Sequence, residues 1–175
     1  MKRRGQIIGG GQRGSNEIEF SLCAIFIIFL LISIVDMARG LWIYHTLAEA
    51  VRDGTRFAIV RGERYANPTT GARLPGATLA DVRNVVLRSG VGLVPNDLTL
   101  RFESPAGVIT CNPACPGGTL TTNWPPDGAA ALDQEIGIAA NYPYSSLVVM
   151  YFPGSQGVQF GKYILGSTAR ERIVF

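Results

Sequence analysis

From Phe20 to Val35 the chain reads FSLCAIFIIFLLISIV, sixteen residues without a charge. Ile18 and Glu19 before this run, and Met37 to Leu41 after it, bring the mostly apolar stretch close to the ~20 residues that span a bilayer. A core helix of a soluble domain keeps a polar stripe along one side, and this run has none. Helical periodicity then continues beyond the run. Ile34, Val35, Ala38, Leu41, Trp42, Leu47, Ala48 and Val51 recur at spacings of three and four, while Asp36, Arg39, Glu49, Arg52, Asp53 and Arg56 decorate the other face. No proline interrupts residues 15–67. The pattern predicts one helix from about Asn16 to about Val60, membrane-like in its first half and amphipathic in its second. The second half therefore needs a partner outside the membrane, most economically the chain's own domain.

Residues 61–77 place Gly, Pro and Asn at turn spacing and read as a loop. Thr78 caps a short helix, LADVRNVVLRSG, with Asp81 three residues on and Gly90 at its end. Leu98 to Phe102 alternates as a strand, and Gly107 to Cys111 suits another. Residues 112–130, rich in Pro, Gly and Thr, read as a long surface loop. Ile136 to Tyr144 and Tyr163 to Val174 read as further strands. The run SSLVVMYFPG between them suits a strand or a helical turn equally. The expected class is α+β: a long N-terminal membrane-spanning helix packed by its outer half on a small antiparallel sheet.

Charge sets the orientation of the apolar run. Lys2, Arg3, Arg4 and Arg13 precede it with no acid among residues 1–14, and only Arg39 and Arg52 follow it closely. The bias of basic residues toward the cytoplasm puts the N-terminus inside and the rest of the chain outside. A secretory signal also begins basic and turns apolar, but no A-x-A follows the run closely; Ala48-Glu49-Ala50 lies too far along. The span is expected to stay attached. The formal charge of +3 rests on that leader, since residues 15–175 carry 12 bases against 13 acids. The body of the chain thus lacks the basic surplus that neutralises phosphates, and nucleic acid is excluded as a partner.

Few residues invite catalysis or cofactor binding. Gly9 to Gly14 literally matches G-x-G-x-x-G, but no strand precedes it and a lipid-facing helix follows, so it reads as a flexible leader. One histidine and three cysteines make a zinc site improbable on numbers alone, and His45 sits in the long helix. No G-x-S-x-G, H-E-x-x-H or nucleophile–base pairing is present. Cys111-Asn112-Pro113-Ala114-Cys115 admits a metal site, a redox pair or a structural disulfide. Two thiols alone are too few for a metal site, and a redox pair prefers C-x-x-C at a helix start. A small disulfide between Cys111 and Cys115 fits best, in an oxidising compartment. Cys23 lies in the span and is expected to stay a reduced, packing thiol. Asp36 and Arg39 are expected to form a local ion pair at the membrane boundary.

A carboxylate at the start of a membrane helix costs a few kcal/mol if it enters hydrocarbon. Glu17 and Glu19 stand there, just after Arg13-Gly14-Ser15-Asn16. A basic leader ending in glycine, then four residues, then Glu-Phe and the span resembles a type IV prepilin processing site of the Tad/Flp kind. The resemblance implies cleavage by a prepilin peptidase between Gly14 and Ser15. It makes Glu19 the fifth mature residue, followed by Phe20. The new α-amine on Ser15 can pair with a Glu19 carboxylate of a neighbouring subunit in low dielectric. Glu17 is a second acid outside the pattern; spacing from Gly14 and the following Phe20 favour Glu19.

The resemblance continues into Gly40–Gly62, which looks like the helix of TadE-like minor pilins with its Gly-x-Arg-aromatic-Ala stretch at Gly54-Thr55-Arg56-Phe57-Ala58. Asn141-Tyr142-Pro143-Tyr144 and Ser167-Thr168-Ala169-Arg170-Glu171 resemble the family's aromatic strand and its ending. A TadE or TadF relative implies a pilin-like fold with a leader over 1–14, a helix over 15–62 and an exported domain over 63–175. It implies assembly rather than catalysis, without a cofactor, in the inner membrane and then on the pilus. The implied partners are the prepilin peptidase, the major and other minor pilins, the assembly platform and membrane lipid. The competing reading is a single-span anchored periplasmic ligand-binding protein that retains its leader.

Overall fold

The computed structural model describes residues 13–61, 76–126, 133–147 and 162–173. Residues 1–12 of the leader, most of the loop read over 61–77, residues 127–130 and nearly all of SSLVVMYFPG lie outside the described residues.

Helix α1 runs unbroken over Arg13–Val60, 48 residues, close to the span that its periodicity and lack of proline predict. Its environment changes abruptly part-way. None of residues 16–35 is buried. From Asp36 onward the helix buries Asp36, Ile43, Leu47 and then the pairs Ala50–Val51, Gly54–Thr55 and Ala58–Ile59. That is the stripe of an amphipathic helix, and it packs against the rest of the domain. Asp36, read from the sequence on the polar face, is on this buried side, while Ile34, Val35, Leu41 and Trp42, read as part of the stripe, are exposed.

Helix α2 (Leu79–Ser89) is set by its ends. Thr78 Oγ1 accepts from the Asp81 N–H at 3.2 Å, and Asp81 Oδ2 accepts from the Thr78 N–H at 3.1 Å, a reciprocal capping box. Gly90 closes the helix by donating its N–H to Val86 O at 2.9 Å. Leu79, Val82 and Val86, at helical spacing, are its buried side. Hydrogen bonds from the Thr78 hydroxyl and N–H hold the Asp81 carboxyl below its ordinary value. A depressed carboxylate adds stability above the unfolded-state value near 3.8 and loses it as pH falls through the folded value. Thr78→Ala should therefore cost about 1 kcal/mol at neutral pH, and the deficit against the parent should shrink below pH 4 in paired thermal melts.

The sheet is antiparallel throughout, in the order β2-β1-β3-β4. Its strands are β1 (Thr99–Ser104), β2 (Gly107–Cys111), β3 (Glu135–Ser145) and β4 (Lys162–Arg172). The turn between β1 and β2 needs Gly107, whose φ of +141° excludes an ordinary side chain. Leu100, Phe102, Ile136, Ile138, Ala140, Tyr142 and Tyr144 alternate inward and close over the outer half of α1 and over α2. The α+β class, with a long helix on a small antiparallel sheet, is thus the observed one.

The segment read as a surface loop over 112–130 is corrected in part. Trp124 is among the most buried residues of the protein, edge-on to Phe102 with ring centroids 5.2 Å apart. Its backbone N–H donates to Ala77 O at 2.8 Å, and Leu79 N donates to Thr122 O at 3.0 Å, so the segment is stitched to the start of α2. A tryptophan contributes far more apolar area than a loop of small residues can match, and here it is buried with Pro125 while residues 121–123 stay exposed. A short 3-10 turn, Thr119–Thr121, precedes it.

Candidate assembly surface

The first half of α1 presents a run of exposed apolar side chains. Phe20, Leu22, Ile25 to Leu31, Ile34 and Val35 are exposed on every side of the helix. The helix is long and apolar enough to cross a membrane. Residues 16–35 rise about 30 Å, the thickness of the hydrocarbon layer. Their hydroxyls are already satisfied within the helix: Ser21 Oγ donates to Glu17 O at 2.8 Å and Ser33 Oγ to Phe29 O at 2.9 Å. Such bonds let serine sit in an apolar medium without an unpaired donor.

Gly14 and Ser15 form part of the first turn of α1, and their side chains lie outside the described residues. Glu19 stands one helical turn beyond Ser15, exposed beside Phe20, which is 75% exposed. Among the described residues neither Glu17 nor Glu19 has a side-chain hydrogen bond or ion pair. The fold thus brings Gly14, Ser15, Glu19 and Phe20 to one end of a bare helix, with Glu19 and Phe20 exposed there. Cys23 is free and exposed on the same segment. Cys111 and Cys115 lie elsewhere, bonded to each other where β2 ends, with Cys111 in the core. Among the described residues no group of His, Cys, Asp and Glu is arranged to hold a metal.

The other end of the bare segment is closed by a group of contacts that the sequence pattern does not disclose. The expected local ion pair between Asp36 and Arg39 is not formed; both side chains reach across to the end of β3 instead. Asp36 Oδ1 accepts from the Tyr144 hydroxyl at 2.7 Å and from the Leu147 N–H at 3.2 Å, and Asp36 Oδ2 accepts from the Ser146 hydroxyl. The Tyr144 hydroxyl also lies 2.9 Å from the Asp36 carbonyl oxygen. Arg39 donates to Ser145 O at 3.2 Å and lies over the Tyr144 ring, 5.1 Å from its centroid. Burial and the bond to Asp36 push the Tyr144 hydroxyl up to about 12, so it remains a donor at any physiological pH. Partnered carboxylates outcompete an i,i+3 surface pair because hydrogen bonds to a charge are worth more than an exposed ion pair. The one signal for this in the sequence is an acid standing immediately after sixteen uncharged residues.

Further along, Gly54 lies tight against Val86 of α2. A Cβ placed on it would stand 2.4 Å from Val86 Cγ2 and 3.3 Å from Ile138 Cδ1. Thr55 beside it is wholly buried and satisfied by Val51 O at 2.8 Å. The Gly-Thr-Arg-Phe-Ala stretch is thus a packing device, with its small residues inward and Arg56 outward.

Residues 14–56 match the family model of TadE-like proteins. Over that segment the chain is TadE-like. The matched segment starts at Gly14, includes Glu19, the whole bare run and Asp36, and ends two residues past Gly54. It associates the chain with the Tad pilus. No curated protein and no solved structure matches the chain. The TadE-like segment is therefore the bare half of α1 together with most of the stripe that seats it on the domain.

Proposed function

We propose that this chain is a minor pilin, or pseudopilin, of a tight-adherence pilus, acting in pilus assembly and hence in surface attachment. The supporting observation is a continuous helix in which residues 16–35 are unburied while the remainder is locked into a folded domain. Such a helix has two apolar environments available in turn. In the membrane, lipid covers residues 16–35. In a filament, the same residues are covered by equivalent helices of other pilins, and burial at about 25 cal/mol per Å² favours that state over exposure. The work is assembly rather than catalysis and needs no cofactor.

In this reading residues 1–14 are a leader on the cytoplasmic side, residues 15–62 the membrane and packing helix, and residues 63–175 the exported domain. A prepilin peptidase cuts between Gly14 and Ser15. The freed Ser15 amine meets Glu19 of a neighbouring subunit, which accords with Glu19 having no side-chain partner among the described residues. Phe20 then enters the helix bundle behind that pair. Export to an oxidising compartment accords with the Cys111–Cys115 bond. The partners are the peptidase, the major and other minor pilins and the inner-membrane assembly platform.

Co-expression of the full chain with and without a Tad-type prepilin peptidase tests this by intact mass and N-terminal sequencing. The expected product begins at Ser15; a chain that keeps Met1 beside an active peptidase overturns the reading in favour of an anchored ligand-binding protein. Glu19→Ala should leave cleavage unchanged and reduce recovery of the subunit in sheared pili about tenfold, the effect of ~1.4 kcal/mol of lost pairing. Glu17→Ala should leave recovery near the parent level, and the opposite ranking would move the role to Glu17.

A further inference from the structure

The clasp at Asp36 fixes the height of the sheet relative to the bare helix. The hydrocarbon layer takes about 20 helical residues; counted from Ile18 or Phe20, its far face falls between Met37 and Arg39. Tyr144, Ser146 and Leu147 are bonded to Asp36, at the edge of that interval. Tyr163, paired with Tyr144 across the sheet, shares a groove of about 460 Å³ with Ser33, one turn deeper in the apolar run. Because α1 is a single unbroken helix, this corner of the sheet cannot stand clear of a bilayer that the helix crosses.

The chemistry of the sheet changes along the strands in the same sense. At the clasp end, Tyr163 is 61% exposed and lines the groove with Met37, 74% exposed, and Leu41 on α1, while Ile164, 76% exposed, follows it on β4. At the opposite end stand the ion pairs Arg101–Glu103, Arg170–Glu103 and Arg172–Asp133. The nine-residue step in register from Tyr144–Tyr163 to Glu135–Arg172 separates the two ends by about 30 Å. Adjacent strand residues point to opposite faces, so with Tyr163 and Ile164 both exposed the apolar corner has an open residue on each face among the described residues.

We propose that the corner formed by Tyr163 and Ile164 of β4 with Met37 and Leu41 of α1 is a second membrane contact, seated in the headgroup layer of a phospholipid bilayer. Its continuity with the bare helix selects lipid as the occupant: the patch begins on the turn where that helix leaves the hydrocarbon. Tyrosine suits such a layer because its ring is apolar and its hydroxyl wet. The contact holds the sheet against the bilayer surface beside its own helix, and it must be released whenever the helix is drawn out of the membrane. The inference rests on reading α1 as membrane-spanning, and its test separates the two.

The full chain, reconstituted in phosphatidylethanolamine–phosphatidylglycerol vesicles containing a photoactivatable phospholipid, is irradiated and the adducts are mapped by mass spectrometry. Adducts are expected on residues 20–35 and, in the peptide Tyr163–Arg170, on Tyr163 to Leu165 several-fold above Thr168 to Arg170. Ile164→Glu should abolish the β4 adducts, keep those on α1 and leave the melting temperature unchanged. Labelled α1 with β4 unlabelled, or labelled evenly along its length, overturns the proposal while leaving the spanning helix intact. Absence of label on both overturns the spanning helix and the proposal together.

Discussion

Gly54→Leu should abolish folding of the domain that packs on the second half of α1. The site admits no side chain: a Cβ alone would stand 2.4 Å from Val86 Cγ2, well inside van der Waals contact, and Ile138 closes the other side at 3.3 Å. Val86 is wholly buried and β-branched, so it has little freedom to turn aside. Leucine adds four carbons where none fits, and overpacking of ~3 kcal/mol or more removes a large part of an ordinary domain's stability. Alanine is the sharper probe. It gains ~1 kcal/mol of helix propensity over glycine and loses ~1–3 kcal/mol to the clash, for a net destabilisation of about 1 kcal/mol. If helix propensity outweighed the clash, Gly54→Ala would stabilise the protein and the close approach would be unimportant. Val86→Ala removes the opposing methyl at a cost of ~2 kcal/mol. The double variant should then cost less than the two single changes together, by a coupling of ~0.5 kcal/mol or more. Chemical denaturation of the parent and these three variants, as full chains in detergent, measures the cycle; strict additivity would deny the contact.

The same glycine illustrates what a single sequence discloses. The small-residue pattern at Gly54 and Ala58 is readable, and so is the need for a partner on that side of the helix. Which residue of which element presses on it is not, because Val86 and Ile138 lie 32 and 84 positions away and spacing along the chain carries no information about such pairs. Helix α1 and the capping box of α2 are legible because their determinants are local: absence of proline, three–four periodicity, and a threonine three residues before an aspartate. Trp124 escapes the sequence reading for the complementary reason. Its Pro- and Gly-rich neighbours describe a loop correctly, but local composition does not register that one large side chain in a loop can enter the core. The ends of the bare segment differ again. Glu19 is conspicuous in sequence as a carboxylate before an apolar run, and among the described residues it stays without a partner. Asp36 is equally conspicuous after that run, yet its partners lie more than a hundred residues on. Charges at i and i+3 on a helix commonly face each other, which makes Arg39 the natural local partner for Asp36 when only the sequence is known.

Asp36→Ala should loosen the sheet from the end of the bare helix at a cost of about 4 kcal/mol, since three hydrogen bonds to a charge disappear and each such bond contributes ~1.5–3 kcal/mol without full additivity. Tyr144→Phe should cost less, about 2 kcal/mol, because Ser146 and Leu147 still meet the carboxylate. In a chain of this length that corresponds to a melting temperature lower by roughly 4–8 °C. Site matters more than size here. Phe102, Leu47 and Val82 are wholly buried and make none of the bonds to Asp36, so amide exchange in detergent micelles should accelerate at residues 144–147 and 163–165 and stay slow in α2 and β1. Uniform acceleration would make Asp36 an ordinary core determinant. No acceleration would mean that the inward-facing residues of β3 hold the sheet on α1 unaided. The local pattern has a mechanical consequence. In the assembly proposed above, helix α1 joins a segment that changes surroundings to a domain that does not, and Asp36 stands at the boundary. Three donors from β3 and its end secure the carboxylate there, so force applied to the bare helix passes into the sheet at its corner rather than through the core stripe from Ile43 to Ile59. A variant lacking the clasp should consequently keep its fold in micelles and still fail when the helix is pulled: full-length Asp36→Ala drawn from a supported bilayer should part from its sheet at a lower force than the parent, and equal rupture forces would assign the whole load to the core.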